Sequence, residues 1–300
     1  MMNRAVGIQR IARRAAIVSL LSILLVVPGA ALDWPVANRI LTGTFGEDRG
    51  DHFHNGIDIG GGDQVVRPAL PGELVFRYDE GSDYSSLPRG VGSYVVLHHG
   101  QGIFTLYCHL ANGTLGPVRT SYAASDQIGI IGESGDAQGK HLHFTVYDQE
   151  AGSAINPLSF LPARADKQAP VIRRILLVVG DRSWPLEPRA VLKPGRAEVL
   201  AEVYDLREDV SFSWPLAPYS VSLSLDGTEV SRLTFDSIQV KDGRSVVGAG
   251  LLTRDDVYNA SGLMRLGAID LRPGDAHLKV TARDVAGNET AKEIPFSVQE

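Results

Sequence analysis

Histidines and an aspartate with short, regular spacings are the residues of this sequence that could do chemistry. Seven of the eight histidines lie between residues 52 and 143, and only His277 lies outside that stretch. Three short segments contain the residues of interest: His54-Asn-Gly-Ile-Asp58, Tyr107-Cys-His109-Leu and Gly139-Lys-His141-Leu-His143-Phe. Residues i and i+2 of a β-strand point to the same face, so His141 and His143 are predicted to project together.

These residue types are typical of a catalytic zinc site. Such a site takes three protein ligands, among them imidazole nitrogens and carboxylate oxygens, and keeps one position open. His54, Asp58 and one histidine of the His-Leu-His segment would supply two nitrogens and one oxygen. Because only one ligand is anionic, the centre stays positive and can acidify a bound water and polarise a carbonyl. His109 and the other histidine of the pair would then remain for proton transfer or oxyanion stabilisation.

Short strands separated by glycine turns are predicted to position these side chains. The spacing of strand and turn signals predicts an antiparallel sheet or a barrel-like sandwich, and no convincing amphipathic helix accompanies it. The fold class is therefore predicted to be mainly β. The predicted strands are Val65–Val66, Glu73–Arg77, Tyr94–His98, Ile103–His109, Ile128–Ile131 and Leu142–Tyr147.

The same region carries further motifs that it shares with a known family. They are Thr44-Phe-Gly46, Phe53-His-Asn-Gly-Ile-Asp-Ile, Gly92-Ser-Tyr-Val-Val-Leu-His-His-Gly100, Thr105-Leu-Tyr-Cys-His-Leu110, Ile128-Gly129, Gly132-Glu-Ser-Gly135, His141-Leu-His-Phe144 and Ile155-Asn-Pro157. With these motifs, the region from about Trp34 to Pro162 resembles the M23 family of zinc metallopeptidases, of the lysostaphin and LytM type. The resemblance covers a little under half of the chain.

The resemblance implies a fold, a cofactor and a role for each histidine. It implies an M23-type antiparallel sheet and one Zn²⁺ ion with His54, Asp58 and His143 as the metal ligands. It implies that His109 and His141 are the catalytic histidines. The family cleaves peptide cross-links or stems of bacterial peptidoglycan, so the implied function is that of a secreted zinc metalloendopeptidase, a peptidoglycan hydrolase.

Two positions depart from the family pattern. Lys140 precedes His141 where the family often has proline or a small residue, and Thr145 follows Phe144 where glutamate is frequent. Neither change removes a metal ligand, but both would alter the shape of the substrate-binding groove that the resemblance implies. Some relatives have lost their ligands and only activate other wall hydrolases, whereas all five site positions are filled here.

Two other functions remain as alternatives. One is a non-catalytic wall-binding or activator protein that keeps the metal site for structure. The other is a D-alanyl-D-alanine carboxypeptidase with a similar ligand triad. Those enzymes use a glutamate base three residues before the last histidine ligand, and that position is Lys140 here, which disfavours them.

Three neighbours of the site have more than one interpretation. Arg49 would contact either a substrate carboxylate or only solvent. Tyr107 lies two residues before His109 and either shares its face or lies in the core. His99, at a strand end, is interpreted as a structural residue.

The second half of the chain is predicted to be a separate β-rich domain. The proline-bounded segment Pro162–Pro170 is typical of a linker, and Asp226-Gly227 is a hairpin signal. The segment from Leu278 to Asn288 resembles the closing strands of bacterial immunoglobulin-like domains. Strands are predicted at Val171–Val179, Ala197–Tyr204, Tyr219–Leu225, Val230–Phe235 and Leu278–Ala282.

The predicted domain order follows from these segments. It is a signal peptide over 1–31, an M23-like metallopeptidase domain over 32–162, a linker over 163–170 and an immunoglobulin-like β-sandwich over 171–300. No cluster that could do chemistry follows residue 170, so the last domain is interpreted as a spacer or positioning module, with possible wall or protein contacts.

The first 31 residues are predicted to direct export. They contain four arginines and no acid, followed by an apolar run from Ala15 to Val27 that is short for a membrane span. Small residues at Gly29 and Ala31 favour cleavage after Ala31, with an uncleaved membrane anchor as the alternative. Cleavage would leave no stable membrane insertion and place the protein in the periplasm or outside the cell, associated with the wall.

Charge and cysteine content exclude some further functions. The formal net charge is −6, and without the four leader arginines 25 basic residues face 35 acidic ones, near −10. Such a balance argues against a non-specific nucleic-acid binder. Cys108 is the single cysteine, so no internal disulfide can form, and its apolar strand predicts a buried thiol.

Overall fold

The computed structural model describes residues 31–82, 90–206 and 215–300. The predicted signal peptide, apart from its last residue, lies outside the described residues. Within them, no helix is long and apolar enough to cross a membrane. Residues 31–300 form one compact unit.

The described residues of the N-terminal half, residues 31–162, form ten short strands. They are β1 (Leu41–Gly43), β2 (Ile57–Ile59), β3 (Val65–Val66), β4 (Gly72–Tyr78), β5 (Ser93–His98), β6 (Ile103–Leu110), β7 (Ser121–Tyr122), β8 (Gly129–Ile130), β9 (Leu142–Asp148) and β10 (Ser153–Ile155). Six of them form a continuous antiparallel sheet in the order β10-β9-β6-β5-β4-β7. In addition, β1 pairs with β2, β2 also pairs with β9, and β3 pairs with β8.

The mainly β prediction is confirmed, and all six strands predicted for this half are present. The sequence prediction missed β1, β2, β7 and β10, which have only two or three residues each and so show no readable alternation. β5 shows why the longer strands were predictable: its residues alternate between buried and half-buried positions along the whole strand. One face of the sheet packs on a core that includes Leu97, Phe144 and Val146.

The described residues of the C-terminal half, residues 163–300, form twelve strands. They are β11 (Val171–Val179), β12 (Arg182–Pro185), β13 (Val191–Leu192), β14 (Gly195–Tyr204), β15 (Ser220–Leu225), β16 (Thr228–Thr234), β17 (Ser237–Lys241), β18 (Arg244–Val247), β19 (Leu252–Thr253), β20 (Met264–Leu271), β21 (Gly274–Arg283) and β22 (Glu289–Val298). Nine of them form two sheets, one in the order β12-β11-β14-β20 and the other in the order β13-β22-β21-β15-β16. Both sheets contribute to one hydrophobic core.

The predicted hairpin at Asp226-Gly227 is confirmed. These two residues join β15 to β16, and both have positive φ, 51° and 77°. A two-residue turn with two positive φ angles matches the right-handed twist of the flanking strands. Regular helix is confined, among the described residues, to α1 (Arg254–Val257) and a 3₁₀ turn at Pro157–Ser159.

Three strands from the C-terminal half extend the N-terminal sheet. β17 pairs antiparallel with β10, and β18 and β19 follow it outward. Without β17, the edge of β10 would present unpaired N–H and C=O groups to solvent, and such an edge can pair with a strand of another chain. The two predicted domains therefore share one sheet, and no hydrophobic pattern in the sequence indicates this pairing.

Candidate metal site

The structure brings His54, Asp58 and His143 together at the outer face of the sheet. Asp58 is in β2 and His143 in β9, and the two residues are direct partners across the antiparallel pair. His54 lies on the loop that leads into β2. Gly56 allows this approach, because a Cβ there would lie 2.6 Å from the carbonyl oxygen of Phe144 and 2.9 Å from the His143 ring.

Three potential ligand atoms form a nearly equilateral triangle. His54 Nε2 lies 2.9 Å from His143 Nδ1 and 3.0 Å from Asp58 Oδ1, and His143 Nδ1 lies 3.0 Å from the same oxygen. A tetrahedral zinc site with bonds of about 2.0–2.1 Å separates its ligand atoms by roughly 3.3–3.4 Å. The triangle would fit such an ion after an expansion of a few tenths of an ångström.

The hydrogen bonds of the two imidazoles turn their lone pairs toward one another. His54 Nδ1 is 2.7 Å from the carbonyl oxygen of Thr44, which can only accept, so Nδ1 carries the proton and Nε2 the lone pair. His143 Nε2 is 2.9 Å from Thr145 Oγ1, a partner that can accept its N–H. Two imidazole lone pairs and a carboxylate oxygen at 3 Å repel one another unless a cation lies between them. This donor set suits a divalent metal, and its outer hydrogen bonds are those of a metal site.

Asp58 faces the triangle with one oxygen and Arg49 with the other. Its Oδ1 is the carboxylate atom of the triangle. Its Oδ2 accepts a 2.6 Å hydrogen bond from Arg49, whose guanidinium also lies 3.1 Å from Glu47. Arg49 therefore binds the candidate ligand Asp58 rather than standing free in solvent.

Glu47 completes the support of this carboxylate. It accepts hydrogen bonds from the Thr44 N–H at 2.6 Å and the Thr44 hydroxyl at 3.0 Å. Burial raises the pKa of Glu47 to about 7, against the opposing effect of Arg49. The ion pair with Arg49 orients the guanidinium toward Asp58.

His109 and His141 lie side by side next to the triangle, with ring centroids 4.8 Å apart. His109 has φ +59°, a left-handed conformation that is uncommon for a residue other than glycine. It coincides with a shift of register between β5 and β6, which is typical of a bulge that redirects a side chain. His141 Nε2 lies 3.7 Å from Asp58 Oδ1, one of the three candidate ligand atoms.

Backbone carbonyls fix the tautomers of these two histidines. His109 Nδ1 donates to the Ser134 carbonyl at 2.8 Å, and His141 Nδ1 donates to the Gly139 carbonyl at 2.9 Å. The neutral rings therefore keep an Nε2 lone pair that can take a proton. Burial lowers the pKa of His109 to about 4, partly offset by the Ser134 hydrogen bond, and so keeps this ring neutral at neutral pH.

Three further residues named from the sequence, Tyr107, His99 and Cys108, belong neither to the triangle nor to the two rings beside it. Tyr107 is fully buried in the core, and its hydroxyl accepts a hydrogen bond from the Ala69 N–H at 2.8 Å. It does not share the face of His109, because the bulge at His109 interrupts the alternation of side chains along the strand. His99 bridges Pro71 and Thr105 and is structural, as predicted. The buried thiol at Cys108 is confirmed, and burial raises its pKa to about 12.

Sequence reasoning missed most of the groups that orient the histidines. Three of them are backbone carbonyls, those of Thr44, Ser134 and Gly139, and a carbonyl leaves no residue-type signal. Thr145 did leave a signal, since it stands two residues after His143 and so on the same face of β9. Lys140 forms an exposed ion pair with Asp63.

Residues 52–157 match the family model of Peptidase family M23. That segment contains all five predicted site residues, from His54 to His143. A second family model matches residues 169–299, which lie beyond the peptidase match. The residues between the two matches, 158–168, overlap the predicted linker.

Curated relatives match the same part of the chain. The DD-carboxypeptidase/endopeptidase Mpg of Neisseria meningitidis serogroup B is 30% identical over 123 residues, covering 39% of this chain and 26% of that protein. An uncharacterized metalloprotease of Haemophilus influenzae is 30% identical over 128 residues, covering 42% of this chain and 25% of that protein. The chain thus spans about a quarter of the length of these relatives.

Solved structures of peptidases also resemble part of the chain. A zinc-containing peptidase from Vibrio cholerae is 23% identical with a TM-score of 0.36, covering 46% of this chain and 41% of that one. The catalytic domain of lysostaphin from Staphylococcus simulans is 22% identical with a TM-score of 0.33, covering 41% and 92%. At this level of similarity, neither structure bears on the function of this chain.

Proposed function

We propose that the protein is a zinc metalloendopeptidase that hydrolyses peptide bonds in the stems or cross-links of bacterial peptidoglycan. The observation that carries the proposal is the triangle of His54, Asp58 and His143, with the rings of His109 and His141 beside it. The match of residues 52–157 to a peptidase family supports it. A purely structural metal site would not need two further imidazoles beside its three ligands.

In this proposal, the chain holds one zinc ion and moves protons around it. When bound, zinc supplies Lewis acidity toward a water and a peptide carbonyl. His54, Asp58 and His143 hold the metal, and Arg49 fixes the orientation of the Asp58 carboxylate. His141 or His109 accepts the proton of the attacking water at Nε2 and returns that proton to the leaving amine, and the other ring borders the same reacting centre.

The zinc requirement and the reaction are tested together. The full chain is purified with zinc, its metal content is measured, and it is incubated with sacculi of several wall types before mass analysis of released muropeptides. We expect one zinc per chain and new peptide termini. His143→Ala should lose both, while His277→Ala, at an exposed position in the C-terminal half, should retain both.

The products separate the alternatives. Zinc-loaded protein that releases no new termini from any wall type would contradict the endopeptidase and favour the activator function. Release of D-alanine alone would favour a carboxypeptidase, an activity named for the Neisseria relatives together with endopeptidase activity. Against that alternative, the position of the expected glutamate base is Lys140, whose ammonium is paired with Asp63 at 2.6 Å.

We also propose that the protein is exported and acts in the periplasm or at the wall outside the cell. The basic, acid-free start and short apolar run of residues 1–31 support this proposal. In cells that express the full chain, the protein should be recovered outside the cytoplasm with Leu32 as its first residue. Recovery in the membrane fraction with an intact N-terminus would instead indicate an uncleaved anchor.

A further inference from the structure

The loop of residues 44–54, here called the metal-site loop, carries three groups on which the metal site depends. His54 is a candidate ligand, the Thr44 carbonyl fixes its tautomer, and Arg49 binds Asp58. The loop has little regular structure of its own, because it contains only the isolated bridge between Asp48 and Phe53. Its conformation therefore depends on what packs against it.

An ion pair from the C-terminal half holds the middle of this loop. Arg254, the first residue of α1, donates to Asp48 through two nitrogens, Nε to Oδ1 at 2.7 Å and Nη2 to Oδ2 at 2.5 Å. The Arg254 side chain is only 12% exposed and that of Asp48 20%. A fork-like, largely buried pair of this kind fixes direction as well as distance.

Aromatic side chains of the C-terminal half hold two further points of the loop. The Tyr258 hydroxyl donates to the Gly46 carbonyl at 3.0 Å, and the Phe53 ring packs against Phe235 and Tyr258 with centroids 6.1 Å away in each case. Gly46 has φ +88°, and a Cβ there would lie 2.2 Å from the Phe235 ring. The aromatic cluster and the loop backbone are thus in direct contact.

Thr44, at the start of the metal-site loop, also contacts the C-terminal half. Thr44 Oγ1 accepts a hydrogen bond from the Ala217 N–H at 2.9 Å and lies 3.1 Å from the Ala217 carbonyl. Thr44 is also the residue whose carbonyl accepts from His54 Nδ1. One residue therefore links the C-terminal half to the ring orientation of a candidate ligand.

We propose that the C-terminal half acts as a positioning element of the metal site, with Arg254 and Tyr258 as positioning residues that act through the metal-site loop. This inference rests on the proposed zinc site but not on the identity of the substrate. Outer hydrogen bonds of metal ligands typically contribute about 10–100-fold to metal affinity. The C-terminal half supplies the contacts that keep these outer groups in place.

The first test measures zinc affinity of the full chain by competition with a chromophoric chelator. Loss of a group that bonds a metal ligand directly costs about 10–100-fold in metal affinity. Arg254→Met and Tyr258→Phe act one step farther out, so each is expected to weaken zinc binding by up to about 10-fold and to alter the absorption spectrum of the cobalt-substituted protein. Arg254→Lys should recover part of the loss. Arg232→Met is the control, because Arg232 also forms a fork-like pair, with Glu229 inside β16, and contacts no residue of the loop.

A charge reversal separates positioning from a general loss of structure. Asp48→Arg and Arg254→Asp should each weaken zinc binding, and the double variant should bind zinc more tightly than either single variant. Unchanged zinc affinity and cobalt spectrum in folded Arg254→Met and Tyr258→Phe would overturn the inference. A zinc-loaded wild type without hydrolysis would instead count against the proposed function alone, so the two failures are distinguishable.

Discussion

At the scale of single residues, the site follows one rule: each of its four histidines has one ring nitrogen fixed by a protein oxygen and the other turned toward the site. Thr44, Ser134 and Gly139 supply carbonyls for His54, His109 and His141, and Thr145 supplies a hydroxyl for His143. In the proposed function, His54 and His143 hold the metal and the other two rings, His109 and His141, transfer protons. That division can be tested one histidine at a time.

His109→Ala should leave zinc bound and lower the rate of wall hydrolysis by roughly 10²–10⁴-fold, as loss of an acid–base group does. His109 contributes none of the three atoms of the triangle, so the zinc content of His109→Ala should stay at the wild-type level. The measurement combines zinc quantification with the release of muropeptides, and exposed His52→Ala serves as the control. Full activity of zinc-loaded His109→Ala would exclude His109 from proton transfer.

The His109 imidazole should remain neutral well below its usual titration range. Burial lowers its pKa to about 4, which means that the folded protein disfavours the protonated ring. As the pH falls from 8 to 5, its ring resonances in the zinc-loaded protein should therefore not titrate, as followed by NMR with His109→Ala for assignment. A titration midpoint near pH 6.5 would show that the ring is exposed to solvent.

Thr145→Val should weaken zinc binding by about 10–100-fold, because it removes the oxygen that meets His143 Nε2 while keeping the side-chain volume. Thr145→Ser keeps that oxygen and should bind zinc as the wild type does. Chelator competition measures both variants. Equal affinities for the valine and serine variants would show that the Thr145 hydroxyl does not orient His143.

At the scale of strands and loops, periodicity was informative where an element is long and uninterrupted. The alternation in β5 and β9 predicted those strands, and the spacing of His141 and His143 predicted that both project from one face. Alternation failed at His109, because the bulge in β6 sends Tyr107 into the core and His109 to the site. It also gave no sign of β2, since three residues are too few to show a period, although β2 carries Asp58.

The pairing of β17 with β10 can be tested by substitutions in β17. Ile238 faces Ala154 across the strand pair and is buried in the core shared by both halves. Ile238→Ala should lower the free energy of unfolding by about 2–5 kcal/mol, whereas Val240→Ala, at a 74% exposed position of the same strand, should change it by less than about 0.5 kcal/mol. Denaturant unfolding of zinc-loaded protein measures both. Equal, small effects would mean that β17 does not pack as described.

At the scale of the whole molecule, the N-terminal and C-terminal halves are packed against each other. Phe45, Phe53 and Ala154 from the N-terminal half belong to the same hydrophobic cluster as the core of the two C-terminal sheets. The sequence predicted a proline-bounded linker over residues 163–170, and that segment contains no strand. A linker in the chain does not make the halves independent, because the pairing of β10 with β17 and the metal-site loop join them elsewhere.

The two halves should therefore unfold together. Hydrogen exchange with mass analysis, followed through a denaturant series, should give the same midpoint for peptides from β5 and β9 as for peptides from β14 and β21. Zinc should raise both midpoints, because a ligand that binds only the folded state stabilises whatever unfolds with its site. Chelation should lower both for the same reason. If zinc shifted only the N-terminal peptides, the contacts through Arg254, Tyr258 and β17 would not couple the halves, and positioning of the metal-site loop would have to come from the N-terminal sheet alone.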